Sequence, residues 1–291
     1  MDTRTLYSPV RATDDGAVTV DLPEEHPGFA DEEYRARRNA IAALSHNWTV
    51  GDPIPAVEYS DVEHDVWRIV SQELATKHRD RAVRQLRDAE AALGLEGDHV
   101  PQLDEVSRRL ADLTDFQYGV VAGLAPLRDF YQAFADGVFY STQYIRHHST
   151  PLYTPEPDII HEVLGHSPHL ADPETSRLYH LVGDAVRRIE TDDALVLLSK
   201  VFWFTFEFGV VEEDGRLKTY GAGILSSFGE LDAFQGAAMQ PLDFGEMCRV
   251  DYDITRYQPV LFKARSLRHA YDEIEQFLTT FGDETPLRLA S

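Results

Sequence analysis

The run His161-Glu162-Val163-Leu164-Gly165-His166 sets two imidazoles five residues apart, with a carboxylate beside the first. Further on, Glu207 lies inside an aromatic run, Phe202-Trp203-Phe204-Thr205-Phe206-Glu207-Phe208. Two imidazoles and one carboxylate form the ligand set of a non-haem Fe(II) oxygenase, and they leave coordination positions free for oxygen and substrate. A zinc-protease pattern would need the second histidine at i+4, one helical turn above the first. Here i+4 is Gly165, and on a regular helix i+5 lies roughly 140° round from i. Both histidines reach one ion only if the helix ends or bends near Gly165, and Ser167-Pro168 is then expected to stop it. Two other readings stay open on these residues alone: a zinc site, and a histidine pair that merely caps a helix.

The surrounding elements must bring His161, His166 and Glu207 together. Apolar spacing predicts helices over 31–44, 61–77, 80–93 and 103–113. Further helices are expected over 158–165, 173–189, 192–208 and 267–281. Residues 137–144 suit either a strand or a helix continuation. Three prolines in 151–157 require an ordered loop. Residues 209–220, with Asp214-Gly215 at the centre, read as a β-hairpin. Residues 1–25 are polar and acidic and are expected to form a flexible N-terminal extension, with one catalytic domain over 26–291. The fold class is mainly α with small β-hairpin elements.

The chain has 291 residues, 43% of them hydrophobic, which suits one large domain. It holds no apolar run long enough for a transmembrane helix. Its N-terminus lacks the apolar core of a secretory signal. Cys248 is the single cysteine, which fits a reducing cytoplasm and a core-filling role. The net charge of −23 disfavours nucleic acid and anionic membranes. It also fits a host with high internal salt, where screening relieves self-repulsion.

The stretch Tyr153-Thr154-Pro155-Glu156-Pro157-Asp158 through His166 resembles the signature of the pterin-dependent aromatic amino acid hydroxylases. So do His26-Pro27-Gly28-Phe29, Tyr34-Arg35-Ala36-Arg37-Arg38, Val121-Ala122-Gly123, Arg128-Asp129-Phe130, Thr142-Gln143-Tyr144-Ile145-Arg146-His147 and Leu225-Ser226-Ser227-Phe228-Gly229-Glu230-Leu231. The likeness runs from about residue 26 to 280. It implies Fe(II) held by His161, His166 and Glu207. It further implies a tetrahydropterin, tetrahydrobiopterin or a related one, that stacks on Phe130 near Gly123, Ala125, Leu127 and Glu162. O2 would be the cosubstrate, divided between pterin and aromatic ring. Arg146 would pair with the amino acid's carboxylate, and Thr154, Pro155, Trp203 and Ser226 would line the substrate pocket.

Within this resemblance, Trp203 stands where phenylalanine- and tyrosine-type enzymes carry Trp, and Ile254 where tyrosine-type enzymes carry Asp. These favour phenylalanine as substrate, with tryptophan as the alternative and a non-catalytic iron- and amino-acid-binding descendant as the rival of another class. Phe202, Leu127 and Tyr140 depart from the family's usual Tyr, Ser and His. The chain also lacks the regulatory and tetramerising segments of the animal enzymes, so a monomer or weak dimer is expected. His78-Arg79-Asp80 has the letters of a 2-oxoglutarate oxygenase ligand pair, but its charged helical setting reads as a solvated face.

Overall fold

The computed structural model describes residues 8–13, 17–253 and 256–290. The helices of the first half are α1 (Glu32–Ser45), α2 (Asp61–Arg81), α3 (Arg84–Leu93), α4 (Leu103–Ala111) and α5 (Leu127–Ala133). They are followed by α6 (Ser167–Ala171), α7 (Pro173–Arg188), α8 (Asp192–Phe202), α9 (Ala222–Leu225), α10 (Phe228–Ala233), α11 (Phe244–Arg249), α12 (Leu267–Thr279) and α13 (Thr285–Ala290). Their starts carry the chemistry that helix N-termini need. Asp31, Asp172, Thr191 and Ser266 accept backbone N–H bonds, and Ser60 with Glu63 forms a capping box. The α7 helix is a central support: Leu178, Tyr179, Val182 and Val186 on its inner face are buried, and it packs on α5, α6 and α12.

The small sheets divide into three. β1 (Val10–Ala12) and β2 (Val18–Val20) form an antiparallel pair. β3 (Gln117–Val120) and β4 (Val138–Ser141) pair in parallel. A four-stranded sheet has the order β6-β5-β8-β7, built from β5 (Val210–Glu213), β6 (Arg216–Thr219), β7 (Ala238–Pro241) and β8 (Val260–Ala264). The expected hairpin is β5–β6, and Asp214 (φ 52°) and Gly215 (φ 71°) make its two-residue turn. Its neighbours β8 and β7 join in parallel, beyond the one hairpin that the sequence suggested.

Part of the acidic N-terminal segment also departs from expectation. Val18, Val20 and Leu22 are buried with Ala42, and Val10, Tyr34 and Ala122 pack against them. The segment alternates apolar and polar residues in two short strands, which is too brief a signal to stand out from a polar tail. Its described residues pack on the body of the fold rather than standing apart from it.

Candidate metal centre and cofactor cleft

A π turn answers the awkward histidine spacing. Ile159 and Ile160 are helical, His161–His166 is π-helical, and α6 continues the same helix through Pro168. The helix therefore neither ends at Gly165 nor stops at Ser167-Pro168. A π turn closes on i+5 rather than i+4, so it brings His166 back under His161. Pro168 sits in the first turn of α6, where a missing N–H costs little. Gly165 serves close packing instead of termination. A Cβ there would lie 2.8 Å from the carbonyl oxygen of Ala222 and 3.2 Å from Cβ of Ser226. Glu207 ends a second π segment, Trp203–Glu207, which continues α8.

These elements make the three donors converge. His166 Nε2 lies 3.1 Å from both His161 Nε2 and Glu207 Oε1. His161 Nε2 is 3.8 Å from Glu207 Oε2. Donors at about 2.1 Å from one ion and at right angles to each other lie about 3 Å apart. The arrangement fits a single ion held on one face. The outer nitrogens are fixed as well: His161 Nδ1 is 2.8 Å from Ser226 Oγ, and His166 Nδ1 is 2.9 Å from the Tyr179 hydroxyl. His169 Nδ1 is 2.9 Å from that same hydroxyl, and its Nε2 meets the Tyr220 carbonyl. The chain of bonds closes when His166 Nδ1–H donates to Tyr179, Tyr179 donates to His169 Nδ1, and His169 Nε2–H donates to Tyr220. In that state Nε2 of His166 keeps a free lone pair facing Glu207.

Burial drives the His161 imidazole down to about 4 against the pull of Glu207, and that of His166 down to about 3. Both are neutral near pH 7 and have no proton to lose before binding a cation. Burial pushes the Glu207 carboxyl up, while His161 and the Gly223 amide oppose the shift. Glu162 is raised well above the usual carboxylate range by burial and by the charges of Glu207 and Asp158. Aromatic rings back the ligands. Phe139 lies 4.6 Å from the His166 ring, and Phe202 stacks on Phe206 at 4.8 Å.

Beside this centre, reached through Glu162, is a cleft lined by Gly123, Leu124, Thr142, Pro157 and Glu162, and by Ser8, Arg38 and Glu156. It joins two of the expected cofactor residues, Gly123 and Glu162. Ala125 leads into α5, which begins at Leu127; Leu127 is exposed and Phe130 half-buried. Phe130 packs on Phe134 and Phe139 at 5.0 and 5.4 Å. Ser8 Oγ and Thr142 Oγ1 are buried without a hydrogen-bond partner, which suits a ligand bearing polar ring atoms.

Of the expected substrate residues, Arg146 is buried and paired with Asp158 (Nη2–Oδ1 2.8 Å, Nε–Oδ2 2.9 Å). Thr154 Oγ1 donates to the Glu156 carbonyl and shapes the proline loop beside Pro155. Trp203 stacks on Tyr252 at 4.4 Å, and its Nε1–H points to Gln258 Oε1 at 3.3 Å. Ser226 touches His161 rather than standing free in a pocket. Ile254 lies outside the described residues. His78, read as solvated, is buried, with Nε2 2.7 Å from the Leu225 carbonyl.

The sequence reading passed over Asp158, Tyr179, His169 and Gln258. Tyr179 had one usable signal: it falls on the buried stripe of α7, where a phenol oxygen needs a partner.

The sequence model described as biopterin-dependent aromatic amino acid hydroxylase matches residues 15–289. A phenylalanine 3-hydroxylase of Streptomyces coeruleorubidus is 44% identical over 260 residues, 89% of this chain and 93% of that protein. A phenylalanine-4-hydroxylase of Caenorhabditis elegans is 41% identical over 92% of this chain, which spans only 60% of that longer protein. Chromobacterium violaceum phenylalanine hydroxylase, solved with iron(III) and 7,8-dihydrobiopterin, superposes with a TM-score of 0.76 at 26% identity, covering 88% of this chain and 91% of that one. The metal triad, the neighbouring cleft and these likenesses agree, and the chain belongs to the biopterin-dependent aromatic amino acid hydroxylases.

Proposed function

We propose that this enzyme hydroxylates the ring of L-phenylalanine to give L-tyrosine, with Fe(II), a tetrahydropterin and O2. The observation that carries the reading is the convergence of His161, His166 and Glu207, with Trp203 at the start of the π segment that ends on Glu207 and Arg146 tied through Asp158 to the His161 N–H. Fe(II) on those three ligands, with two electrons from the pterin, supplies the oxygen chemistry. The chain's own residues bind, orient and exclude water. The Ser226 and Tyr179 hydroxyls keep the ligating nitrogens unprotonated and aimed. Asp158 takes one edge of the Arg146 guanidinium. Nη1 also donates to the Pro151 carbonyl at 3.4 Å, and the remaining Nη1 and Nη2 hydrogens would form the pair that meets the amino acid's carboxylate. Trp203, held by Tyr252 and Gln258, limits the pocket to a single aromatic ring, with Thr154 and Pro155 on the facing loop. Gly123, Ala125, Leu127 and Phe130 carry the pterin ring, and Glu162 borders it.

A second reading concerns the position attacked. The Streptomyces relative at 44% identity is named for 3-hydroxylation, so 3-hydroxyphenylalanine is the rival product. The deciding experiment is turnover by the Fe(II)-loaded enzyme with tetrahydropterin, oxygen and equal phenylalanine, tyrosine and tryptophan. Products are separated by mass and retention time. Tyrosine that depends on pterin and disappears in His161→Ala supports the proposal. The 3-isomer would move the attack site, hydroxytryptophan would overturn the pocket argument, and no product from folded, iron-loaded protein would point to a non-catalytic descendant.

The same reading makes the enzyme a cytoplasmic monomer or weak dimer from a salt-rich interior, with no nucleic-acid or membrane partner. The charge of −23 supports the salt-rich interior and argues against a nucleic-acid partner; among the described residues no helix is long and apolar enough to cross a membrane.

A further inference from the structure

The cleft of Gly123 and Glu162 has a wall that its motifs supply only in part. Ser8, on the N-terminal arm, lines it together with Thr142, which follows β4. Among the described residues, the buried side-chain atoms without a partner are Ser8 Oγ, Thr142 Oγ1, Arg35 Nε and Arg87 Nε. Both hydroxyl-bearing residues in that set line this one cleft. A buried polar group left unpaired is costly, so two on one cleft argue for a ligand that pairs them.

The arm is anchored where it would have to be. The Ser8 N–H lies 3.5 Å from Glu156 Oε2, and the Asp21 N–H donates to the Pro9 carbonyl at 3.0 Å. The Val20 N–H donates to Asn39 Oδ1 at 2.8 Å. Val10 lies directly on the Gly123 loop: a Cβ on Gly123 would come within 2.5 Å of Val10 Cγ2. Only a glycine lets the strand approach so closely. Ala122, next in the chain, packs in the same small apolar cluster as Val10, Val18 and Val20. One short segment therefore both packs on the Gly123 loop, through Val10, and lines the cleft beside it, through Ser8.

We propose that the start of the arm, Ser8 with Val10 behind it, is a wall of the cofactor cleft, and that the Ser8 and Thr142 hydroxyls hydrogen-bond the polar edge of a reduced pterin. A hydroxyl can donate or accept, so each can meet either kind of pterin ring atom. The proposal rests on the reading that Gly123 and Glu162 border the cofactor.

The test is equilibrium binding of 7,8-dihydrobiopterin to the full chain, followed by calorimetry without turnover. Ser8→Ala and Thr142→Val are each expected to weaken binding about threefold to tenfold, the size of one neutral hydrogen bond. Arg108→Ala, on α4 with an exposed side chain paired to Asp104, should bind as the wild type does. Backbone hydrogen exchange of the wild type gives a readout that needs no variant: amides of 10–12 and 18–20 should slow when the dihydropterin is added. Wild-type affinity in Ser8→Ala and Thr142→Val, with weaker binding in Glu162→Gln, would overturn the arm's role and leave the cleft reading standing. Unchanged affinity in all three would overturn the cleft reading and the arm with it. Absence of protection in the arm on a binding-competent wild type would also overturn the proposal.

Discussion

Asp158 holds Arg146 by two parallel hydrogen bonds and also accepts the Arg146 backbone N–H at 2.8 Å. It accepts the His161 N–H at 3.2 Å as well, so a single buried carboxylate ties the guanidinium to the start of the metal-binding π turn. Asp158→Asn would keep the shape and leave a buried cation with half a partner. Breaking a buried pair from one side costs about 3–5 kcal/mol. Urea denaturation of the metal-free protein should show a loss of that order, and KM for phenylalanine should rise more than KM for pterin. A loss under about 1 kcal/mol would mean that the pair is not what positions Arg146.

Tyr179 and Ser226 act through the histidines. Tyr179→Phe keeps the ring among Phe134, Phe202 and Phe206 but deletes the hydroxyl between His166 and His169. Removing such a partner of a metal-bound imidazole lowers affinity about 10- to 100-fold. Competition with a chelator should show this for Tyr179→Phe, and likewise for Ser226→Ala on the His161 side. Iron affinity equal to the wild type in both would show that the outer hydrogen bonds do not orient the ligands.

The sequence carried the donors of this centre but not the means that joins them. Histidines at i and i+5 with Glu207 pointed to a candidate ligand set while a zinc site and a helix cap stayed open, and the motif around them pointed to the family. The π geometry was not legible, because one extra residue in a turn changes no residue type and leaves the apolar pattern intact. Gly165 therefore read as a terminator when its real role is contact with Ala222, a partner set by tertiary packing. Long helices such as α2 and α7 were legible from periodicity and caps. Four-residue parallel strands such as β3 and β4 were not, since so short a run looks alike in helix and sheet. Arg146 shows both sides: the motif assigned it to a carboxylate, and the structure adds a second carboxylate, Asp158, on its other edge.

Glu230 offers a pH test. Burial pushes its carboxyl up to about 7, against the hydrogen bond from the Gln258 N–H. The native state therefore binds more protons than the unfolded state between the ordinary carboxylate range and about pH 7. Unfolding free energy contributed by this group is full in acid and is lost as pH rises through about 7. Glu230→Gln keeps the acceptor and removes the titration. Its stability relative to the wild type should climb from pH 5 to 7 and level off above. A difference that stays flat across that range would exclude Glu230 as the titrating group.

The charge of −23 predicts a salt response. Raising KCl from about 0.01 M to 1 M shortens the screening length from about 30 Å to about 3 Å. Repulsion among the excess carboxylates should weaken, and Tm should rise across the series. Stability that falls as KCl approaches molar levels would remove the case for a salt-rich host.

Trp203 is fixed on three sides, by Tyr252 at 4.4 Å, Phe208 at 4.6 Å and the Gln258 oxygen at 3.3 Å. Its indole cannot swing aside without breaking the Gln258 bond, and Gln258 in turn donates to the Asp253 and Arg256 carbonyls. On the proposed reading the ring, so held, would be a rigid limit on pocket size rather than a loose lining. Trp203→Phe removes the second ring and the N–H together. A larger substrate gains room, while phenylalanine loses packing worth about 1–3 kcal/mol, or roughly 10- to 200-fold at the upper limit of such discrimination. The expected result is a shift in the ratio of kcat/KM values towards tryptophan, with phenylalanine turnover reduced but still dependent on pterin. Because Gln258 loses its indole partner, Trp203→Phe combined with Gln258→Ala should show less than the sum of the two single effects on phenylalanine kcat/KM. An unchanged preference ratio in Trp203→Phe would move the specificity-determining wall elsewhere.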